Sequence, residues 1–96
     1  MMLKGEIKEL TKTLEIKNKL GMHARPAALL VKTCGQYISD VIFEKEGLQV
    51  NGKSILSVMT LAAPFGSKII VYVKGPDAEE ALAAIEKVFE SKFNEE

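Results

Sequence analysis

The sequence is poor in cysteine and histidine, and it has no net charge. The 96 residues include one cysteine and one histidine, and thirteen lysines and arginines balance thirteen acidic residues. One cysteine cannot form an internal disulfide, and one cysteine with one histidine cannot supply the three or four ligands of an ordinary zinc site. We therefore expect a reducing compartment and no metal. The formal net charge of zero gives no electrostatic reason to expect a nucleic-acid partner.

Long apolar segments are absent as well. The longest stretches without charge, such as residues 54–67, are shorter than the ~20 apolar residues that span a bilayer. The first ten residues carry charges throughout and lack the apolar region and cleavage site of a secretory signal. We therefore expect a cytoplasmic protein without membrane insertion. The length fits one domain, residues 1–96, in which residues 1–10 form an N-terminal extension.

Hydrophobic periodicity predicts seven secondary-structure elements. Alternating polar and apolar residues indicate strands, and apolar residues three or four positions apart indicate helices. Asp77, followed by Glu80 three residues on, resembles an acidic capping box at the start of the last helix. In chain order, the predictions are a strand at 11–17, a helix from about 23 to 35, strands at 40–45 and 48–51, a helix behind Ser54 with apolar residues up to Ala62, a strand at 67–74 and a helix over 78–89.

The order of these elements predicts the fold class. An antiparallel sheet with helices covering one face is the economical way to bury every apolar stripe in one core. We therefore expect an α/β (α+β) two-layer sandwich with the order βαββαβα.

The single histidine occurs in the segment GMHARPA, residues 21–27, where the first helix is predicted to begin. A helix start offers free backbone N–H groups and the positive end of the helix dipole to a phosphate. Arg25 can add a fork of donors, and the neutral imidazole of His23 can act as a nucleophile. The same spacing also fits a histidine that merely caps the helix, with Pro26 marking the helix start. Spacing alone favours this second interpretation.

A resemblance over most of the chain favours the phosphate-accepting histidine over the capping one. The chain from Leu20 to Gly75, and on to about Phe89, resembles the HPr family almost without gaps. Two separated motifs match, His-x-Arg-Pro-Ala at 23–27 and Lys-Ser-Ile-x-x-Val-Met at 53–59. The resemblance implies an open-faced sandwich of four antiparallel strands with three helices on one face, in agreement with the order predicted from periodicity.

The resemblance also implies a phosphocarrier rather than an enzyme. His23 would accept a phosphoryl group through Nδ1, Arg25 would steady the phosphate, and Ser54 matches the regulatory serine of the family. The implied partners are enzyme I, charged by phosphoenolpyruvate, the IIA units of sugar permeases, and HPr kinase/phosphorylase for the serine. No cofactor is implied, and we expect a monomer. The family often has Asn or Ser three positions before the histidine, so Leu20 departs from its pattern.

Ser54 is also a natural N-cap, a role worth on the order of 1 kcal/mol. A phosphate on it would be tolerated at a helix N-terminus but would place charge beside the following apolar residues. A short helix cannot bury every apolar side, so Ile55, Leu56 and Met59 are candidate partner-binding residues, although such residues can equally belong to the core.

Two other functions stay open. One is a nitrogen-branch or regulatory paralogue in which His23 performs the same chemistry. The other is a protein-interaction module that is never phosphorylated and in which His23 only caps the helix.

Overall fold

The computed structural model describes residues 7–95. In this range four strands and three helices follow one another in the predicted order. A single turn, Lys92–Asn94, follows the last helix and is called the C-terminal turn below. The strands are β1 (Lys8–Glu15), β2 (Asp40–Lys45), β3 (Leu48–Asn51) and β4 (Lys68–Gly75), and the helices are α1 (Ala24–Cys34), α2 (Ile55–Met59) and α3 (Ala78–Glu90).

The four strands form one antiparallel sheet in the order β1-β4-β2-β3. β1 pairs with β4 over its full length, from Lys8 opposite Gly75 to Glu15 opposite Lys68. β2 lies between β4 and β3 and pairs antiparallel with both. This sheet, together with the three helices, confirms the predicted fold class.

The core lies between the sheet and the helices. Alternate strand residues such as Phe43 and Val71 are buried in one cluster with Leu30 of α1 and Ile85 of α3. Cys34 belongs to the same cluster, and its burial raises the pKa of the thiol to about 12. The cysteine is therefore a small apolar core residue, with a thiol that stays protonated.

β1 is longer at its N-terminal end than predicted. It begins at Lys8, so residues 8–10, expected in a loose extension, belong to the sheet. Alternation in the sequence is weak there because two charged residues, Lys8 and Glu9, precede Leu10, which packs against the core from a partly buried position. The rest of the predicted extension, apart from residue 7, lies outside the described residues.

α2 is shorter than its apolar stripe suggested. The helix ends at Met59, and tight turns follow, in which Leu61 N–H donates to Val58 O at 3.2 Å and Ala62 N–H donates to Met59 O at 3.0 Å. Ala62 has a φ of 47°, outside the right-handed helical region. The helical spacing of Ala62 therefore comes from a turn rather than from a continuing helix.

The capping box predicted at the start of α3 is wrong. Asp77 occupies the N-cap position, but its carboxylate makes no cap hydrogen bond. It accepts instead from the hydroxyl of Ser39 and from the backbone N–H groups of Ser39 and Ile38, at 2.9 and 3.0 Å respectively. These donors, the Ser39 hydroxyl first, lower the pKa of the Asp77 carboxyl. The carboxylate therefore ties the start of α3 to the segment between α1 and β2.

Candidate functional site

His23 lies directly before the first residue of α1, with an extended backbone. Its carbonyl accepts the first helical hydrogen bond, from Ala27 N–H at 3.0 Å, whereas its side chain makes no cap hydrogen bond. The side chain is 40% exposed. The N–H groups of Ala24 and Arg25 belong to the first turn, where a helix offers no backbone acceptor, and Pro26 has no N–H to leave unpaired. A half-exposed imidazole therefore lies at the positive end of a helix.

The loop before His23 is held closed by Asn18 and Gly21. Gly21 N–H donates to Asn18 O at 3.1 Å, and Asn18 Nδ2 donates to Gly21 O at 2.7 Å. Gly21 has a φ of 73°, and a Cβ at this position would lie 2.6 Å from Ala63 O, so a side chain does not fit. Met22 N–H donates to the same carbonyl at 2.8 Å. The loop is thereby fastened to the segment that follows α2.

The ring of His23 is paired with Glu95. Nε2 of His23 lies 2.9 Å from Oε2 of Glu95, and Oε1 of the same carboxylate accepts from Asn18 Nδ2 at 2.8 Å. Asn18 is fully buried and the Glu95 side chain is mostly buried. Neither residue was predicted from the sequence as part of the site. Asn18 merely interrupts a strand pattern, and Glu95 is 72 positions from His23, so no local spacing connects them.

Arg25, the other residue of the predicted phosphorylation motif, is exposed on the first turn of α1. Within residues 7–95 its guanidinium forms no ion pair. The five donors of this group are therefore available to an anion held at His23.

Ser54 is the N-cap of α2, as predicted, and its hydroxyl accepts from Ser57 N–H at 3.3 Å. Behind it, Val58 is the fully buried residue of the helix. Leu56 is 77% exposed and Met59 is 37% exposed, and Ile55 is also exposed. All three candidate partner-binding residues therefore lie on the surface.

Two of the other exposed apolar side chains, Leu20 and Phe65, were not predicted as surface contacts. Leu20 lies in the closed loop before His23, and Phe65 follows the Ala63–Pro64 segment on which that loop rests. The signal in the sequence was the placement of both residues in predicted loops beside glycine. We call Leu20, Ile55, Leu56, Met59 and Phe65 the exposed apolar set.

Across residues 7–95, no three His, Cys, Asp or Glu side chains come together as a metal site requires. No helix in the same range combines the length and the apolar character of a membrane span.

Comparison with known proteins identifies the family. A family model described as the phosphorylation site of the PTS HPr component matches residues 10–91. The phosphocarrier protein HPr of Treponema pallidum is 45% identical over 85 residues, which cover 88% of this chain and 97% of that protein. A crystal structure of HPr from Thermoanaerobacter tengcongensis superposes with a TM-score of 0.87 at 45% identity, covering 91% of this chain and 98% of that one.

A third similar protein has a different description. Crh from Bacillus subtilis, described as a catabolite repression protein with a swapped domain in an intertwined dimer, has a TM-score of 0.70 at 38% identity. The match covers 82% of this chain and 91% of that one. Both structures superpose on the fold described above, and the family model and the relative match most of the chain. The chain therefore belongs to the HPr family of the phosphotransferase system.

Proposed function

We propose that this chain carries a phosphoryl group on His23 between proteins of the sugar phosphotransferase system. The donor is enzyme I charged by phosphoenolpyruvate, and the acceptors are IIA units of sugar permeases. The observation that carries the proposal is the half-exposed histidine at the N-terminal end of α1, in a chain of the HPr family. Membership in this family also supports a cytoplasmic location.

The chemistry follows from the surroundings of the ring. The Nδ1 lone pair of His23 attacks the phosphorus, and the N–P bond forms as the bond between phosphorus and the donor breaks. The free N–H groups of Ala24 and Arg25 can donate to the phosphoryl oxygens, and the Arg25 guanidinium can add charge-assisted hydrogen bonds. Because the site is exposed, a second protein can approach the same phosphorus and take the group away.

The partner surface is proposed to be the exposed apolar set around the histidine. These side chains belong to the loop before His23, to α2 and to the turn after α2, and the Met22–Ala63 hydrogen bond joins these segments. Exposed apolar side chains of this kind mark interaction sites on small proteins. Ser54, at the start of α2, is a proposed regulatory phosphorylation site for HPr kinase/phosphorylase.

Substitution of His23 by Ala tests the function directly. We expect the variant to accept no phosphate from radiolabelled phosphoenolpyruvate and enzyme I, because no other histidine exists to replace it. The label on the wild-type chain should be released by mild acid and retained in alkali, since it is bound through nitrogen.

Circular dichroism and thermal unfolding of the His23→Ala variant should match the wild type, because a half-exposed side chain contributes little packing. Ser54→Ala is the matched control and should still be labelled. Labelling of the His23→Ala variant, or label on the wild type that survives mild acid, contradicts the proposal.

A second candidate function is a regulatory protein that acts through Ser54 and, unlike the paralogue considered from the sequence, carries no phosphate on His23. The observation in its favour is the similarity to Crh, a protein described by its role in catabolite repression. The labelling experiment separates the two: failure of His23 to accept phosphate from an active enzyme I favours the regulatory function. Neighbouring genes would distinguish a sugar-branch carrier from a nitrogen-branch one.

A further inference from the structure

The contact between His23 and Glu95 indicates which ring nitrogen carries the proton and which carries the lone pair. A neutral imidazole has one N–H and one lone pair. Oε2 of the Glu95 carboxylate lies 2.9 Å from Nε2, and a carboxylate oxygen can only accept. The contact is therefore a hydrogen bond when Nε2 carries the proton. In that tautomer the lone pair is on Nδ1.

Asn18 holds the carboxylate in its place. Its Nδ2 has two hydrogens, and the two neighbours at 2.7 and 2.8 Å, Gly21 O and Glu95 Oε1, are both acceptors. The opposite orientation of the amide would set an oxygen against both, so the observed orientation is the required one. Because Asn18 is fully buried and also donates to Gly21 O, its amide has a fixed position relative to the loop.

The C-terminal turn, which precedes Glu95, has a backbone conformation that is rare for residues other than glycine. Lys92, Phe93 and Asn94 have φ values of 56°, 56° and 60°, in the left-handed region that residues with a side chain seldom adopt. Phe93 is buried, and its ring lies 5.0 Å from that of Phe89 between centroids. Burial of this aromatic ring opposes the cost of the backbone conformation. With this backbone, the Glu95 carboxylate lies within hydrogen-bond distance of both Asn18 and His23.

We propose that Glu95 is a positioning residue that keeps the proton on Nε2 of His23 and so keeps Nδ1 available as the phosphoryl acceptor. The inference rests on the proposed function. In the transfer, the N–P bond forms at Nδ1 while the bond from phosphorus to the donor atom breaks and its electron pair leaves with the donor. The Nε2 proton stays on the ring, and the carboxylate faces the positive charge that the ring acquires. Onward transfer reverses these changes.

The Glu95→Gln variant tests the assignment, because an amide presents one acceptor and one donor. If the amide oxygen keeps the hydrogen bond from Asn18, the amide nitrogen donates to Nε2 and favours the tautomer with the proton on Nδ1. Nitrogen-15 NMR of the neutral His23 ring should show a proton on Nε2 in the wild type and on Nδ1 in the variant. Phosphate acceptance from enzyme I should slow by about tenfold or more.

Two other variants complete the experiment. Glu95→Ala removes the acceptor without adding a donor, so we expect mixed tautomers and a smaller loss of rate than in Glu95→Gln. Glu80→Gln, an exposed change in the first turn of α3, should behave as the wild type. A Glu95→Gln variant that lacks either the tautomer shift or the loss of rate overturns the proposal. A wild-type chain that accepts no phosphate contradicts the proposed function instead, because the tautomer is measured on unphosphorylated protein.

Discussion

The side chains around His23 differ in their conformational freedom. Asn18 is buried and uses both of its amide hydrogens, whereas Arg25 is exposed and forms no ion pair with any residue from 7 to 95. A fixed group can define the geometry of the ring before a phosphoryl group arrives. A free group can follow the phosphate as it is gained and lost. The two kinds of residue should therefore respond differently to substitution.

Arg25→Ala should slow phosphoryl transfer without changing the fold. The variant loses charge-assisted hydrogen bonds worth about 1.5–3 kcal/mol each, so we expect transfer from enzyme I to slow by about tenfold to a hundredfold. Stability should stay within about 0.5 kcal/mol because an exposed side chain is removed. Rapid-quench labelling measures the rate, and thermal unfolding measures stability.

Lys32→Ala is the matched control for Arg25→Ala. It removes an exposed cation from the last turn of the same helix, away from His23. Its transfer rate should equal that of the wild type. An Arg25→Ala variant that transfers at the same rate as this control would show that the guanidinium has no part in holding the phosphate.

At the scale of elements, α2 combines a structural role with an exposed surface in only five residues. Val58 fixes the helix to the core, the Ser54 hydroxyl caps it, and Leu56 and Met59 remain on the surface. Because the cap is adjacent to the exposed side chains, a charge added at Ser54 lies beside the proposed partner surface without entering the core.

Ser54→Asp should weaken binding to enzyme I while leaving the helix intact. Aspartate caps helices about as well as serine, so the melting temperature should change little. The added charge lies beside apolar side chains that must lose water on docking, and we expect affinity to fall by about tenfold. Calorimetric titration with enzyme I gives the affinity.

Ser54→Ala gives the opposite pattern and serves as the control. Loss of the cap should lower the free energy of unfolding by about 1 kcal/mol while affinity for enzyme I stays unchanged. Equal affinities of the Asp variant and the wild type would remove Ser54 as a switch for this interaction.

At the scale of the whole molecule, the pattern of the sequence was enough to predict the strands, the helices and their order. Phe43 and Val71 alternate with more exposed strand residues, and Ile85 belongs to a stripe at helical spacing. The periodicity of the sequence therefore predicted correctly that these side chains are buried. The motif around His23 and the cap at Ser54 were likewise local. The Asp77–Ser39 and His23–Glu95 contacts join positions 38 and 72 residues apart, and only the folded chain brings them together. What local spacing missed was therefore the part of the site made by tertiary contacts.

The oligomeric state also depends on the whole chain, and we expect a monomer. All eight residues of β1 pair with β4 of the same chain, whereas Crh of Bacillus subtilis is described as a domain-swapped dimer.

Exchange of β1 between two copies would require the loop before His23 to straighten. That would break the Asn18–Gly21 and Met22–Ala63 hydrogen bonds and the hydrogen bond from Asn18 to Glu95. A loop with this many internal bonds is a poor hinge for swapping. Sedimentation velocity from micromolar to millimolar concentration should give the mass of one chain throughout, and a stable dimer in that range would contradict the expected monomer.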